Sequence, residues 1–309
     1  MMTAKSPRLS VILPVGDREE FLAEAIESVL AQTFGDFELL VVLDGVSEGV
    51  SGIVHGYADE RIRVTALPLN LGVSTARNVG LRLARAPYIA LMDSDDVAMP
   101  RRFEQQLRWL DAHPHVTVCG SNSIKRLSSG REVPMRYPRT DGMIKARMLL
   151  VDAAILNPTA MFRAEFVQRH CIQYDPMLAR DQDHMFYVEM ILRGATFHGL
   201  QESLLLYRRH ATNGTCDMSR FDEAKTRVRE RLLPLFFPSL TGQEFQALAV
   251  GMCDRTPVSS RQLGEFVTAA RKAGEESRSL VGEDRREIRR ILAVYLKRAM
   301  DKLGMESRR

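Results

Sequence analysis

The chain has 309 residues, 45% hydrophobic and 27% charged, with 43 Lys and Arg against 39 Asp and Glu and a net charge of +4. That is an ordinary globular composition, enough for one large or two modest domains; the mild basic excess suits phosphate ligands or an anionic membrane surface, and no dense basic and aromatic stripe marks a nucleic-acid face. Cys119, Cys171, Cys216 and Cys253 lie far apart without a CxxC pair, which argues against a zinc site or a disulfide framework and for reduced thiols, and no apolar run approaches the about 20 residues of a spanning helix or resembles a signal peptide.

Leu9 to Pro14 reads as a short apolar strand, and Gly16 and Asp17 as the turn after it. Phe21, Leu22, Ala25, Ile26, Val29 and Leu30 recur at helical spacing. Phe37 to Leu43 is a nearly continuous apolar strand ending at Asp44 and Gly45, as expected for a central strand covered on both faces. A third strand fits Ile62 to Leu67. The order is that of a doubly wound α/β fold. Asn70 to Gly80 then forms a glycine-containing turn into a helix, where free N–H groups and Arg77 suit an anion; an ordinary capped helix with a surface Arg fits equally well. The stretch lacks a Walker A ending and a dinucleotide-binding glycine fingerprint.

Tyr88 to Met92 is the next strand, and it ends in Asp93, Ser94, Asp95 and Asp96. Ligands of open α/β sheets bind at the carboxyl ends of strands. Packed carboxylates repel one another unless a cation sits among them, and Mg2+ favours one or two carboxylates plus substrate phosphates. The plain alternative is a solvated acidic turn before the helix at Pro100. That helix faces Phe103, Leu107 and Leu110 inward and ends at His113 and Pro114. A strand over Val116 to Cys119 and a polar surface loop over 121–142 follow. Asn157 to Arg163 is extended, Asp181 to His184 opens a helix ended by Gly194, and strands are expected at Thr196 to His198 and Leu204 to Tyr207. From Arg220 helical spacing dominates. In the last helix Ile288, Ile291, Leu292, Tyr295, Ala299 and Leu303 share one face. It reads as a membrane-surface helix or, more commonly for such helices, as one packed on the rest of the chain with a solvated basic face.

Four stretches carry a family likeness. They are Ser10 to Pro14 with Ser28 to Thr33, Asn70 to Gly80, Asp93 to Asp96, and Tyr207 to His210. In that order they resemble the landmarks of glycosyltransferase family two, inverting enzymes of the GT-A fold, over about two thirds of the chain. The resemblance implies a GT-A (Rossmann-like nucleotide-diphospho-sugar transferase) sandwich at 1–219 and a helical C-terminal extension at 220–309. It implies a metal-dependent hexosyltransferase-like enzyme with a nucleotide-sugar donor, UDP-sugar above all, and a carbohydrate or glycoconjugate acceptor in polysaccharide or lipopolysaccharide synthesis. On the resemblance, Mg2+ or Mn2+ is expected at Asp93, Asp95 and His210. It likewise implies donor contacts from Pro14, Asp44, Arg77, Asp93 and Ser94, and a general base at Asp181 with Asp183 as fallback. A cytoplasmic location follows, with peripheral contact at the cytoplasmic face of the membrane left open.

The likeness has departures. Leu43 and Asp44 stand where two aspartates are usual, Gly16 and Asp17 where Tyr-Asn is usual, and Arg180 where an acid usually precedes the base. An inward Arg180 would lower the pKa of Asp181, so Arg180 is expected to point away or to bind acceptor. These departures sustain the alternative of a catalytically inactive nucleotide-sugar-binding or scaffolding protein.

Overall fold

Every residue of β1 (Leu9–Val15) and β2 (Phe37–Asp44) is buried, as nearly continuous apolar runs require when both faces of a sheet are covered, and Ser10 hydrogen-bonds Glu38 between them. The computed structural model describes residues 6–18, 20–150, 154–178, 180–209, 221–253, 259–276 and 284–306. With β3 (Ile62–Leu67) and β4 (Tyr88–Leu91) these strands form a parallel block in the order β3-β2-β1-β4. The chain winds outward from β1 to β3 and returns to the other side of β1, so the switch point lies between β1 and β4. Pairing of β1 with β4 ends at Ile12 opposite Leu91, whereas Pro14 pairs only with Val42. Pro14 therefore removes no ladder bond on the β4 side, and β1 runs one residue beyond its expected end.

Helices α1 (Leu22–Leu30), α2 (Glu48–His55) and α3 (Val73–Leu83) connect these strands. Helix α2 escaped the sequence reading because Gly49 and Gly52 interrupt it; Val50 and Val54 anchor it in the core. Gly80 lets α3 lie close to β1, since a Cβ there would stand 2.4 Å from Cγ2 of Ile12.

The sheet continues through β5 (Val97–Ala98), β6 (Val118–Arg126), β7 (Glu132–Met135), β8 (Met161–Arg163) and β9 (Phe197–Arg208), in the order β4-β8-β6-β9-β5 with β7 on β6. Helix α4 (Arg102–Ala112) follows β5. The polar stretch 121–142 is a hairpin, not a surface loop. Ser121, Asn122 and Ser123 are buried in β6, and Asn122 donates to the Gln201 carbonyl at 2.7 Å and accepts from the Tyr137 N–H at 2.8 Å. Hydrogen bonds satisfy these polar groups, so the hydrophobic pattern conceals the strand. The two strands expected near 196 and 204 are the single β9, with register shifts where β6 passes Asn122.

The chain divides into two compact units: Met1–Arg139, Ile155–Met177 and Arg193–Cys216, and then Thr140–Ala154, Leu178–Leu192 and Asp217–Arg309. The first holds the sheet and the short helix α6 (Ala164–Arg169). The second joins α5 (Asp141–Met148) and α7 (Gln182–Leu192) to α8 (Phe221–Phe236), α9 (Gly242–Gly251), α10 (Ser260–Glu276) and α11 (Asp284–Glu306). Within it the buried Arg229 donates to the carbonyls of Leu149 and Ala249, and a Thr241–Glu244 capping box starts α9. Among the described residues no helix is long and apolar enough to cross a membrane.

Candidate active site

The acidic turn begins where β4 ends. The Met92 N–H donates to the Ile12 carbonyl at 3.0 Å, after which Asp93, Ser94 and Asp95 are half-buried and Asp96 is fully buried. Asp96 accepts the Arg208 N–H at 2.9 Å, and its other carboxylate oxygen, Oδ2, has no partner. Burial, and then the charges of Asp95 and Asp93, push its carboxyl well above the usual range. Asp96 thus ties the turn to the end of β9, and the accessible acids are Asp93 and Asp95. The Arg208 guanidinium donates to the Asp95 carbonyl at 3.1 Å, forms an ion pair with Glu24 of α1, and lies 4.8 Å from the Phe21 ring centroid. The sequence offers Arg208 only as part of a motif and by its place just after the apolar run Leu204 to Leu206; its burial is a tertiary fact.

Helix α3 reaches the turn through Arg77, which is buried. Its Nη2 donates to Oδ1 of Asp93 at 2.9 Å, and the guanidinium lies 5.3 Å from the Tyr174 ring centroid. The side chain of Asn78 both donates to the Tyr174 carbonyl and accepts its N–H, each at 2.8 Å, which holds Tyr174 in place. Arg77 therefore bridges to a carboxylate, and that carboxylate is the first acid of the turn.

Asp44 closes β2. It is buried, and its Oδ1 accepts the Leu71 N–H at 2.7 Å, which fixes the loop leading to α3. Gly45 has φ +61, and a Cβ there would meet the Asn70 nitrogen at 2.1 Å, so only glycine fits. Asp17 accepts the Ser47 N–H at 2.8 Å and is held below the usual carboxylate range by hydrogen bonds from Ser47. Pro14, Asp44, Asp93, Ser94 and Asp95 thus lie at strand ends and in the loops that follow them on the carboxyl side of the parallel block, and Arg77 reaches Asp93 from helix α3.

Asp181 belongs to the second unit. It stands at the start of α7, and its carbonyl accepts the Met185 N–H at 3.0 Å. Its φ is +54, a left-handed conformation that Asp tolerates better than most residues but that still costs about 1 kcal/mol or more. Its Oδ2 is buried without a hydrogen-bond partner, and Nδ1 of His184 lies 3.5 Å from Oδ1. Strain and an unsatisfied buried carboxylate oxygen on one residue are features that collect at functional sites. Asp183 lies in the first turn of α7, and Arg180 is half-buried. His210 lies outside the described residues.

Among the described residues no group of three or more His, Cys, Asp or Glu is placed to hold a metal ion. The donors at hand are two half-buried carboxylates, one already sharing an oxygen with Arg77. That set fits a hard divalent ion that draws its remaining ligands from a diphosphate and water rather than from a closed protein cage.

A family model described as Glycosyl transferase family 2 matches residues 10–170, just over half of the chain. An uncharacterized glycosyltransferase of Methanocaldococcus jannaschii is 29% identical over 65% of this chain and 71% of its own length. The amylovoran biosynthesis glycosyltransferase AmsE of Erwinia amylovora is 33% identical over 44% of this chain and 52% of its own. Among solved structures, S. aureus TarS 1-349 in complex with UDP-GlcNAc aligns with TM-score 0.66 at 20% identity, over 94% of this chain and 92% of its own. The mannosyltransferase PcManGT of Pyrobaculum calidifontis, in complex with GDP-Man and Mn2+, aligns with TM-score 0.52 at 15% identity, over 98% of this chain and 88% of its own. The structural matches give the fold as GT-A-like, in agreement with the expectation from the sequence.

Proposed function

This chain belongs to glycosyl transferase family 2, and from that premise we propose that it is an inverting enzyme that moves a sugar from a UDP-sugar to a hydroxyl acceptor in polysaccharide or glycoconjugate synthesis. The observation that carries the reading is the acidic turn Asp93–Asp95 at the switch point of a GT-A-like sheet, within the residues the family model matches. The UDP-GlcNAc bound in the TarS structure supports the donor class, and the role named for AmsE supports the setting. Residues 1–219 act as the catalytic domain and 220–309 as a helical extension.

In this reading Pro14 and Asp44 border the nucleoside and Ser94 the donor, while Arg77 holds Asp93 ready for the donor ribose or the metal shell. Asp95, with Asp93 and His210 in support, would hold Mg2+ or Mn2+, which supplies positive charge to the departing diphosphate. Asp181 takes the proton of the acceptor hydroxyl on its unpartnered Oδ2. The acceptor oxygen bonds to the anomeric carbon as the bond to the diphosphate oxygen breaks, and the nucleoside diphosphate leaves. One displacement inverts the anomeric centre, and no carboxylate need act as a covalent nucleophile. The assay is release of UDP from a panel of UDP-sugars with Mn2+ and mixed glycan acceptors. Release that disappears in Asp95→Ala and Asp181→Asn is expected. Nucleotide binding without release from any donor would favour the inactive binding module.

The outer face of α11 supports a peripheral contact at the cytoplasmic face of an anionic membrane. Arg286, Arg289, Arg290 and Lys297 are exposed there, together with Val294 (41% exposed) and Met300 (53% exposed). Basic and apolar groups on one exposed helix face suit a headgroup layer.

A further inference from the structure

The geometry points to Arg208 as the residue that positions the acidic turn for donor binding, with Glu24 as the partner that holds Arg208 in place. The inference rests on the reading of Asp95 as a donor-site ligand. Three separate parts of the first unit meet at this one side chain. Its Nη1 donates to the carbonyl oxygen of Asp95 at 3.1 Å, its own backbone N–H donates to Asp96 at 2.9 Å, and its guanidinium pairs with Glu24 and lies over Phe21 at 4.8 Å.

The contact with Asp95 matters because it is made to the peptide that carries the ligating carboxylate. Fixing that carbonyl limits rotation of the turn and so the direction of the Asp95 side chain. The guanidinium also places a permanent positive charge beneath three acids within four positions, which offsets their mutual repulsion before any donor arrives. On the far side, Glu24 and Phe21 belong to the segment that leads from the loop after β1 into α1. Arg208 therefore links the loop expected to border the nucleoside with the turn expected to border the diphosphate.

A purely structural arginine and a positioning arginine make different predictions, and Glu24 separates them. Its side chain is 54% exposed, against 7% for Arg208. Exposed ion-pair partners contribute little to stability. Glu24→Gln should leave the unfolding temperature nearly unchanged while loosening Arg208.

The test is calorimetric titration of UDP, GDP, dTDP and CDP into the full chain, in Mn2+ and again in EDTA. The proteins are wild type, Glu24→Gln, Arg208→Lys, the double variant and Asp95→Ala, each with its unfolding temperature. For the nucleotide that binds wild type, Glu24→Gln and Arg208→Lys should each weaken Mn2+-dependent binding about tenfold, with affinity in EDTA unchanged. The double variant should be no weaker than Arg208→Lys alone, because the two act as one unit. If Asp95→Ala abolishes Mn2+-dependent binding while Glu24→Gln and Arg208→Lys bind as wild type or lose only thermal stability, this inference is overturned and the donor-site reading stands. If no nucleotide binds wild type, or if Asp95→Ala binds as wild type does, the donor-site reading fails and the inference falls with it.

Discussion

The Arg77 guanidinium stands 2.9 Å from Oδ1 of Asp93, and Arg77 is only 5% exposed, so helix α3 and the acidic turn share one largely buried ion pair. Removing one partner of a buried pair strands the other charge and costs about 3–5 kcal/mol. Because Asp93 keeps some exposure, Arg77→Met should cost about 3 kcal/mol in urea unfolding, and Arg77→Lys less. Unchanged stability in Arg77→Met would show that the pair does not hold in solution.

Asp181 combines a cost with a proposed task. Asp181→Gly relieves the left-handed backbone at φ +54 and should raise stability, by up to about 1 kcal/mol, while removing turnover. Asp181→Asn keeps a residue tolerant of that conformation. It should bind nucleotide as wild type does and lose about 10²–10⁴-fold in kcat. Differential scanning calorimetry and turnover on the same samples check both, and full turnover in Asp181→Asn would remove this residue from the chemistry.

Glu38 sets a pH dependence of stability. Burial pushes its carboxyl up, but hydrogen bonds from Ser10, Arg63 and Arg85 outweigh burial and hold it below the usual value. A group depressed in this way stabilises the fold above its unfolded pKa, near ~4.3, and the contribution is lost as pH falls through the folded value. Glu38→Gln should therefore be less stable than wild type at pH 7, with the gap closing below about pH 4. Denaturant unfolding from pH 3 to 7 measures the gap; a constant gap contradicts the account.

The exposed basic face of α11 predicts binding to vesicles containing phosphatidylglycerol but not to pure phosphatidylcholine, weakening as salt rises. Charge reversal at Arg286, Arg289 and Lys297 should abolish co-sedimentation without changing the fold. Equal recovery with both vesicle types would remove the membrane reading of this helix.

The central strands were legible because Tyr88 to Met92 is apolar throughout and Phe37 to Leu43 is apolar except at Glu38, without the alternation of a half-exposed strand. β6 was not, because Ser121, Asn122 and Ser123 are buried by virtue of hydrogen bonds whose partners lie far along the chain. The site divides in the same way. Asp93 and Asp95 stand out as acids at the end of an apolar run. The pairing of Arg77 with Asp93, the burial of Asp96 and the reach of Arg208 to Glu24 are tertiary facts with no periodic signal. Asp181 is singled out only by a motif likeness, and its left-handed backbone has no mark in the sequence.

The most direct test is thermal stability of the full chain against UDP, GDP, dTDP and CDP, each with and without Mn2+. A ligand that binds only the native state raises the unfolding temperature by mass action. The account predicts a Mn2+-dependent rise with UDP that disappears in Asp95→Ala. No rise with any of the four nucleotides, in a protein that unfolds cooperatively, would contradict it.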